Sequence, residues 1–376
     1  MTEPPPPLRE LLQACIDGNF SDLHVSANAP PIGRLFGKLT PISPDAWPRE
    51  RVEHLVHSMT TPESYARLEE EKALDSAWSL GRFRFRINTY KERGFYALAI
   101  RKLDTNTRTM EELGLPPETY ALTRYPSGLI LFTGPTGSGK STSLAALIDN
   151  INNNQSHHII TIEDPIEYIH TNKNCLIHQR EVGTDVLGFY ESLREALRED
   201  PDIILVGEMR DLDTMRAAVT AAETGHLVLS TLHSKDSVGA LDRIIGMYPA
   251  VEQDSIRRQL SMALRAVVTQ SLLPTPDGKG RNVAVELLKI NNAVANLVGS
   301  GQFKQIYSIL EISANEGMLS MDHHLAQLVF EGKVALDLAL QKCRNEQAFR
   351  ERLQFLNRQP AGSSYVPATA QTRPPA

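Results

Sequence analysis

The sequence predicts a mixed α/β protein whose main domain is built on a mostly parallel sheet, preceded by a smaller α+β domain. From residue 128 onward, short apolar runs alternate with amphipathic segments of helix length, which is typical of parallel strands joined by helical crossovers. A glycine-rich motif follows directly on the first of these apolar runs. The length of 376 residues and the apolar content of 41% are sufficient for two packed domains.

Residues 1–105 are predicted to form the small α+β domain. Its helices are predicted at residues 8–18 and 49–70. Its strands, recognised by short apolar or alternating patterns, are predicted at 23–25, 32–36, 81–90 and 96–100. Residues 106–126 are rich in Pro, Thr and Asn, and are predicted to connect this domain to the next one.

Residues 127–357 are predicted to form the main α/β domain. Its strands are predicted at 129–133, 159–162, 203–206 and 227–231, and its helices at 141–152, 188–198, 211–223 and 237–246. After residue 251 the pattern predicts helices, apart from a strand near 283–288. Residues 358–376 are rich in Pro, Ala, Ser and Thr, which predicts a disordered tail.

The glycine-rich motif fits G-x-x-x-x-G-K-[ST] without substitution. Its glycines allow a tight turn that directs backbone N–H groups inward, and the helix start that follows adds a partial positive charge. Lys140 is predicted to contact the β- and γ-phosphates of a nucleoside triphosphate, and Ser141 to ligate Mg²⁺. The predicted nucleotide-binding residues are Gly134, Pro135, Thr136, Gly137, Ser138, Gly139, Lys140, Ser141 and Thr142.

Two glutamates follow neighbouring predicted strands, at the edge of the sheet where open α/β folds bind ligands. Glu163 ends the run IITIE, and Glu208 follows the run IILVG. Hydrolysis needs a group that orients or deprotonates water and a group that holds the Mg²⁺ shell. Glu163 suits the first role, and Glu208 suits the second, through a bound water. The alternative is that these are ordinary exposed acids at strand ends.

Two histidines flank one predicted strand. His226 precedes it and His233 follows it, and seven residues of strand span about 23 Å, so both cannot contact one phosphate. His233 lies at the carboxyl end and is the predicted γ-phosphate sensor, with Thr231 as a second candidate. His226 is predicted to hold local structure.

Arginine alternates with apolar residues in the first domain. The alternation over residues 82–87 places Arg82, Arg84 and Arg86 on one face, and Arg101 ends a neighbouring predicted strand. Two interpretations remain open. The arginines form a solvated face paired with nearby acids, or they are supplied to phosphates across a domain or subunit cleft.

Composition argues against several other classes. The net charge is −6 with no basic stripe, which disfavours nucleic-acid binding. The three cysteines are too dispersed for a disulfide framework. No apolar run approaches the ~18 residues of a membrane span, and the proline-rich start is unlike a signal peptide. We therefore expect a soluble, cytoplasmic protein whose membrane association would depend on a partner.

Six longer strings carry a family resemblance. They are SDLHV from Ser21, GPTGSGKST from Gly134, IEDPIEY from Ile162, QREVG from Gln179, ALREDPDIILVGEMRD from Ala196 and AAETGHLVLSTLH from Ala221. On these strings the chain resembles type IV pilus retraction ATPases of the PilT/PilU kind, within the secretion ATPase superfamily. The resemblance covers residues 8–345.

The resemblance implies a PAS-like N-terminal domain and a RecA-like P-loop core with C-terminal helices, assembled as a homo-hexamer. ATP and Mg²⁺ would bind between the domains, with Glu163 as the catalytic glutamate, Glu208 as the Walker B acid and His233 in the His box. Arg86 and Arg101 are the arginines implied from the first domain, with Arg84 as a further candidate. The implied work is ATP hydrolysis to ADP and phosphate that drives pilus retraction and twitching motility. It would act through an inner-membrane platform protein, at the cytoplasmic face of that membrane.

Some features leave the subtype and the function open. Residues 274–281 are more similar to PilU, whereas the phosphate loop and the Glu208 string are more similar to PilT. A pilus-extension or type II secretion ATPase is the nearest alternative, but its usual four-cysteine zinc module cannot form here. A nucleotide-binding regulatory partner of a second retraction ATPase is an alternative of another class. A DNA translocase is disfavoured by the charge distribution.

Overall fold

The computed structural model describes residues 3–35, 38–81, 83–103 and 107–358. Contacts divide the chain into two compact units. The first comprises Met1–Asn106 together with Pro165–Ile169, and the second comprises Thr107–Asp164 and His170–Ala376. The chain therefore leaves the second unit for one short segment and then returns to it.

The first unit contains a six-stranded sheet in which all neighbouring strands are antiparallel. Its strands are β1 (Asp22–Ser26), β2 (Ile32–Leu35), β3 (Lys38–Pro41), β4 (Ala73–Leu80), β5 (Phe83–Glu92) and β6 (Phe95–Leu103). Their order is β3-β2-β1-β6-β5-β4. Its helices are α1 (Pro6–Asp17), α2 (Arg49–Met59) and α3 (Pro62–Glu71). Leu12, Leu55 and Phe85, from two helices and β5, are fully buried in its core.

The single helix predicted over 49–70 is wrong, because the chain forms two helices there. Thr61 caps α3 by accepting a hydrogen bond from Ser64 N–H, and Pro62 occupies the first turn of that helix. A proline is compatible with a helix start but not with a helix interior. The sequence Thr-Thr-Pro therefore ends one helix and begins another.

The second unit is built on a seven-stranded sheet. Its strands are β7 (Gly128–Thr133), β8 (His158–Glu163), β9 (Leu176–Glu181), β10 (Ile203–Val206), β11 (Leu227–Leu232), β12 (Leu264–Pro274) and β13 (Arg281–Lys289). Their order is β13-β12-β7-β11-β10-β8-β9. Only β13 pairs antiparallel with its neighbour. The predicted mixed α/β fold with a mostly parallel main sheet is confirmed.

Helices cover both faces of this sheet. They are α4 (Lys140–Asn154), α5 (Phe189–Ala196), α6 (Leu212–Glu223), α7 (Ser237–Gly246), α8 (Gln253–Ala263), α9 (Asn292–Ser300), α10 (Ile306–Ile312), α11 (Met321–Phe330), α12 (Leu336–Lys342) and α13 (Glu346–Arg358). Alternate residues of β7 enter opposite core layers: Leu129 and Leu131 join one, Ile130 and Phe132 the other. Burial on both faces is the expected environment of a parallel sheet.

The prediction of helices after residue 251 is wrong for residues 264–274, which form β12. The run is largely buried, and its polar residues Arg265, Thr269, Gln270 and Ser271 do not alternate with apolar ones, so it has no period-two pattern that would identify a strand. Its β-branched residues Val267, Val268 and Thr269 favour a strand, and pairing with β7 completes it. The strands β3, β4 and β9 were likewise absent from the predicted set.

The remaining predictions have mixed outcomes. Within the predicted connection 106–126, the side chains of Met110, Leu115 and Leu122 are buried in the second unit's core. Phe36, Arg82 and the predicted tail beyond residue 358 lie outside the described residues. Among the helices that the structure describes, none is long and apolar enough to cross a membrane.

Candidate nucleotide-binding site

The glycine-rich loop joins β7 to α4 in a conformation that requires glycine. Gly134 has φ 143°, and a Cβ there would lie 2.4 Å from the carbonyl oxygen of Gln270 and 2.6 Å from Oγ of Ser138. Gly139, with φ 89°, immediately precedes the helix. A side chain at Gly134 would clash with backbone, and the positive φ at Gly139 is a conformation that residues with a Cβ rarely adopt.

Lys140 begins α4, and its side chain folds back over the loop. The residue is 8% exposed, and Nζ donates hydrogen bonds to the carbonyl oxygens of Gly134 (3.0 Å) and Pro135 (3.1 Å). Ser141 is exposed in the first turn of the same helix. A full positive charge, a hydroxyl and the N-terminal amides of a 15-residue helix are thus gathered at one loop, which suits a phosphate group.

The carboxyl ends of β7, β11, β10 and β8 lie side by side at this edge of the sheet. The Thr133 hydroxyl donates to the carbonyl of Ser234 (3.3 Å), which joins the phosphate-loop strand to the loop after β11. Gly207 N–H donates to the carbonyl of Ile162 (2.8 Å), which joins the ends of β10 and β8. The loops that carry the predicted site residues are therefore neighbours.

Glu208 and His233 contact each other directly. Nε2 of His233 lies 3.3 Å from Oε1 of Glu208, and Nε of Arg210 donates to Oε2 at 2.9 Å. The Thr231 hydroxyl donates instead to the carbonyl of Gly207 (2.6 Å). His226, before the strand, has Nδ1 3.0 Å from the carbonyl of Ala221, a local contact at the opposite edge.

Glu163 is the last residue of β8 and is half-buried. Its Oε1 accepts hydrogen bonds from the Thr161 hydroxyl (2.7 Å) and from Nε2 of Gln179 (3.2 Å). Sequence reasoning did not single out Thr161 or Gln179, although the string QREVG contained the second. Hydroxyl and carboxylate oxygens from Ser141, Glu163 and Glu208 occupy this edge, and such hard oxygen donors fit Mg²⁺.

The structure places Arg86 and Arg101 in the first unit, as in-register neighbours on β5 and β6. Nη2 of Arg86 lies 3.4 Å from Oδ2 of Asp75, and Nε of Arg101 lies 2.8 Å from Oδ1 of Asp22. Their side chains are 43% and 70% exposed. Both arginines are therefore ion-paired with acids of their own unit while remaining accessible to solvent.

Arg84, the further candidate among the first-domain arginines, does not share this exposed face, so the interpretation as a solvated arginine does not hold for it. Arg84 is 5% exposed, and its Nε donates to the carbonyl of Ile166 at 2.6 Å. Ile166 belongs to the segment Pro165–Ile169, which returns to the first unit and covers this position. The strand pattern gave the correct face, but it contained no information about the segment that packs on it.

A buried carboxylate contacts the start of α7, the helix that follows His233 along the chain. Glu286 on β13 is 3% exposed, and its Oε1 accepts a hydrogen bond of 2.9 Å from the backbone N–H of Ser237, the first residue of α7. Burial raises the pKa of this carboxyl above its ordinary value of 4.5. The carboxyl thus keeps its proton in the folded state at pH values where the unfolded chain has lost it.

Replacing Glu286 with glutamine should remove the pH dependence of stability that the raised pKa of this carboxyl causes. The pKa of Glu286 is higher in the folded than in the unfolded protein. The stability that the protonated carboxyl contributes is therefore complete below about pH 4.5, and it declines as the pH rises through the folded-state pKa. We expect the free energy of unfolding of Glu286→Gln, relative to that of the wild type, to increase as the pH rises above 4.5. Urea unfolding at several pH values measures this. The exposed Glu351→Gln is the control, and parallel pH curves for Glu286→Gln and the wild type would contradict the prediction.

Comparison with known proteins agrees with this architecture. Residues 34–359 match the family described as Type II/IV secretion system protein. The chain is 41% identical over 343 residues to the type IV pilus retraction ATPase PilT of Pseudomonas aeruginosa, covering 91% of this chain and 99% of that protein. It is 38% identical over 332 residues to the type IV pilus ATPase PilU of the same organism, covering 88% and 87%.

A solved structure is similar over nearly the whole chain. The crystal structure of the pilus retraction motor PilT with bound ADP has a TM-score of 0.85 and 39% identity, covering 92% of this chain and 99% of that one. The resemblance to retraction ATPases that the motifs predicted is thereby confirmed. The chain belongs to the Type II/IV secretion system protein family, with PilT and PilU ATPases among its close relatives.

Proposed function

We propose that this chain is the subunit of a hexameric, Mg²⁺-dependent ATPase that drives type IV pilus retraction. The observation that carries the ATPase proposal is the meeting of the Lys140 loop, Glu163 and the Glu208–His233 pair at one edge of the parallel sheet. Retraction itself rests on the similarity to PilT, whose full length this chain nearly covers. In this proposal the first unit is a PAS-like domain and the second a RecA-like domain.

Each predicted site residue at this edge of the parallel sheet has a chemical role in this proposal. Lys140 and the amides at the start of α4 bind the β- and γ-phosphates. Ser141 and, through water, Glu208 hold Mg²⁺, which when bound neutralises charge on the phosphate oxygens. Glu163 orients the attacking water and receives its proton. His233 contacts the γ-phosphate, and its bond to Glu208 links that contact to the metal-binding acid.

Arg86 and Arg101 complete the site from a neighbouring subunit in this proposal. Their exposure and their position beside each other concentrate positive charge on the face of β5 and β6, and a phosphate would compete there with Asp75 and Asp22. The ring would work at the cytoplasmic face of the inner membrane. It would act through a pilus platform protein, alone or together with a second retraction ATPase.

Replacing Arg101 with alanine is expected to lower the ATPase rate of the assembled ring by about 10-fold or more, since arginines that stabilise transferred phosphoryl groups have large effects. The rate of dilute, dissociated subunits should not change. The control is Arg67→Ala, an exposed, ion-paired arginine of the same unit. Equal rates for wild-type monomer and ring, measured against protein concentration, would contradict supply of the arginine from a neighbour.

Deletion of the gene, scored by counting surface pili and by twitching, tests retraction. A retraction motor predicts abundant pili on cells that do not twitch, whereas cells without pili would indicate an assembly ATPase. Complementation with Glu163→Gln separates a motor from a regulatory nucleotide-binding partner. A motor fails to restore twitching when it cannot hydrolyse ATP, whereas a binding partner restores it.

A further inference from the structure

One side chain outside the predicted site holds Glu163 in place. Gln179 lies on β9, in the strand pair β8–β9, where it is in register with Thr161. Its Nε2 donates to Oε1 of Glu163 at 3.2 Å, and its Oε1 accepts from the backbone N–H of His170 at 2.8 Å. Both ends of this amide are therefore engaged, and each contact has a defined donor and acceptor.

The two residues that Gln179 contacts, Glu163 and His170, flank the segment Pro165–Ile169 in the sequence. After Glu163 and Asp164, the segment Pro165–Ile169 leaves the second unit, and His170 is the first residue to return. Glu163 is the final residue of β8, and two residues later the backbone leaves the second unit. The Gln179 amide links the departure point to the return point across the base of this segment.

The Glu163 carboxylate is held by two donors on the same oxygen. The Thr161 hydroxyl, from the same strand, also donates to Oε1 at 2.7 Å. Hydrogen bonds to a charged acceptor are shorter and stronger than those between neutral groups. Two of them from different strands restrict rotation of the carboxylate, so the orientation of its second oxygen is defined relative to the sheet.

We propose that Gln179 is a positioning residue for ATP hydrolysis. It sets the orientation in which the Glu163 carboxylate engages the attacking water, and it ties that orientation to the base of the Pro165–Ile169 segment. Gln179 touches neither nucleotide nor water in this role, and acts only through Glu163. The inference therefore rests on the proposed role of Glu163 in hydrolysis.

The decisive variant is Gln179→Glu in the full-length, assembled protein. It keeps an acceptor for His170 N–H but replaces the donor to Glu163 with a second carboxylate. We expect kcat to fall about 10- to 100-fold, as for a displaced catalytic group, with KM for ATP changed less than about twofold. Since two adjacent carboxylates cannot both ionise easily, the acid limb of the kcat–pH profile should move to higher pH. Glu181 is in register with Glu163 and is present in both the wild type and the variant, so its charge affects the two pH profiles equally.

Gln179→Met is the companion variant, because it fills similar space and removes both hydrogen bonds. We expect a similar fall in kcat without the shift of the acid limb. A purely structural role predicts instead that the two variants lose thermal stability alike and show no difference in pH profile. If either variant does not fold, Thr161→Val removes the other donor to the same oxygen and should lower kcat in the same way.

The matched control is Gln347→Glu on α13. The exposed Gln347 donates to Oε1 of Glu351 at 2.9 Å, so the substitution makes the same chemical change far from the sheet edge, and kcat should not change. Wild-type kcat and pH profile in both Gln179 variants would overturn the inference. Glu163→Gln separates the two proposals: if it is inactive while the Gln179 variants are normal, only the positioning role fails.

Discussion

Replacing Glu163 with glutamine is expected to abolish ATP hydrolysis and to leave ATP binding nearly intact. The amide oxygen can still accept the hydrogen bonds that Thr161 and Gln179 donate to Oε1, so the local geometry is retained. The amide cannot take a proton from water, however, and loss of a general base typically costs about 10²- to 10⁴-fold in rate. Steady-state phosphate release measures the first effect, and titration with a fluorescent ATP analogue measures the second.

The control for this variant is Glu223→Gln, which removes the same charge from the exposed end of α6. Its kcat and its affinity for the analogue should equal those of the wild type. Turnover of Glu163→Gln at the wild-type rate would show that another group activates the water. Loss of binding as well as turnover would show that Glu163 holds the nucleotide or its metal.

Replacing Lys140 with alanine is expected to remove nucleotide binding itself. The ammonium is the one full positive charge that the phosphate loop itself contributes, and each hydrogen bond between charged groups contributes about 1.5–3 kcal/mol. Loss of one or two such bonds weakens binding by at least about 10- to 100-fold. Because Nζ also bonds to the carbonyls of Gly134 and Pro135, circular dichroism and a thermal melt should accompany the titration.

Lys304→Ala, an exposed lysine of the same unit, controls for the loss of one charge. It should bind ATP and ADP with wild-type affinity. If Lys140→Ala folds normally and still binds both nucleotides tightly, the phosphate loop is not the binding site. Together the two variants separate binding from chemistry: Lys140→Ala should fail at the first step, and Glu163→Gln only at the second.

Much of the second unit was predictable because its signals are local. The strand Ile203–Val206 and the helix Ser237–Gly246 have the predicted bounds. Short apolar runs between helical segments identify parallel strands, and the sheet then places whatever follows each strand at one edge. That is why the phosphate loop, Glu208 and His233 could be assigned to neighbouring loops without any knowledge of tertiary contacts.

The errors have a common physical origin. β12 is largely buried and its polar residues do not alternate with apolar ones, so its pattern does not distinguish a buried strand from a buried helix until β7 and β13 are known to pair with it. Arg84 has the pattern of a solvated residue, yet it is buried beneath a segment that lies 82 positions away in the sequence. In both cases the deciding contact is distant along the chain.

The sequence by itself determined that this chain is a mixed α/β protein with a glycine-rich loop between a strand and a helix, because strand periodicity and the glycine-rich motif are properties of consecutive residues. It also determined which loops carry the acids and the histidine. Only the tertiary structure decided that His233 contacts Glu208, that Gln179 holds Glu163, and that Arg84 is covered. These contacts depend on which elements become neighbours, and that is set by the packing of the whole chain.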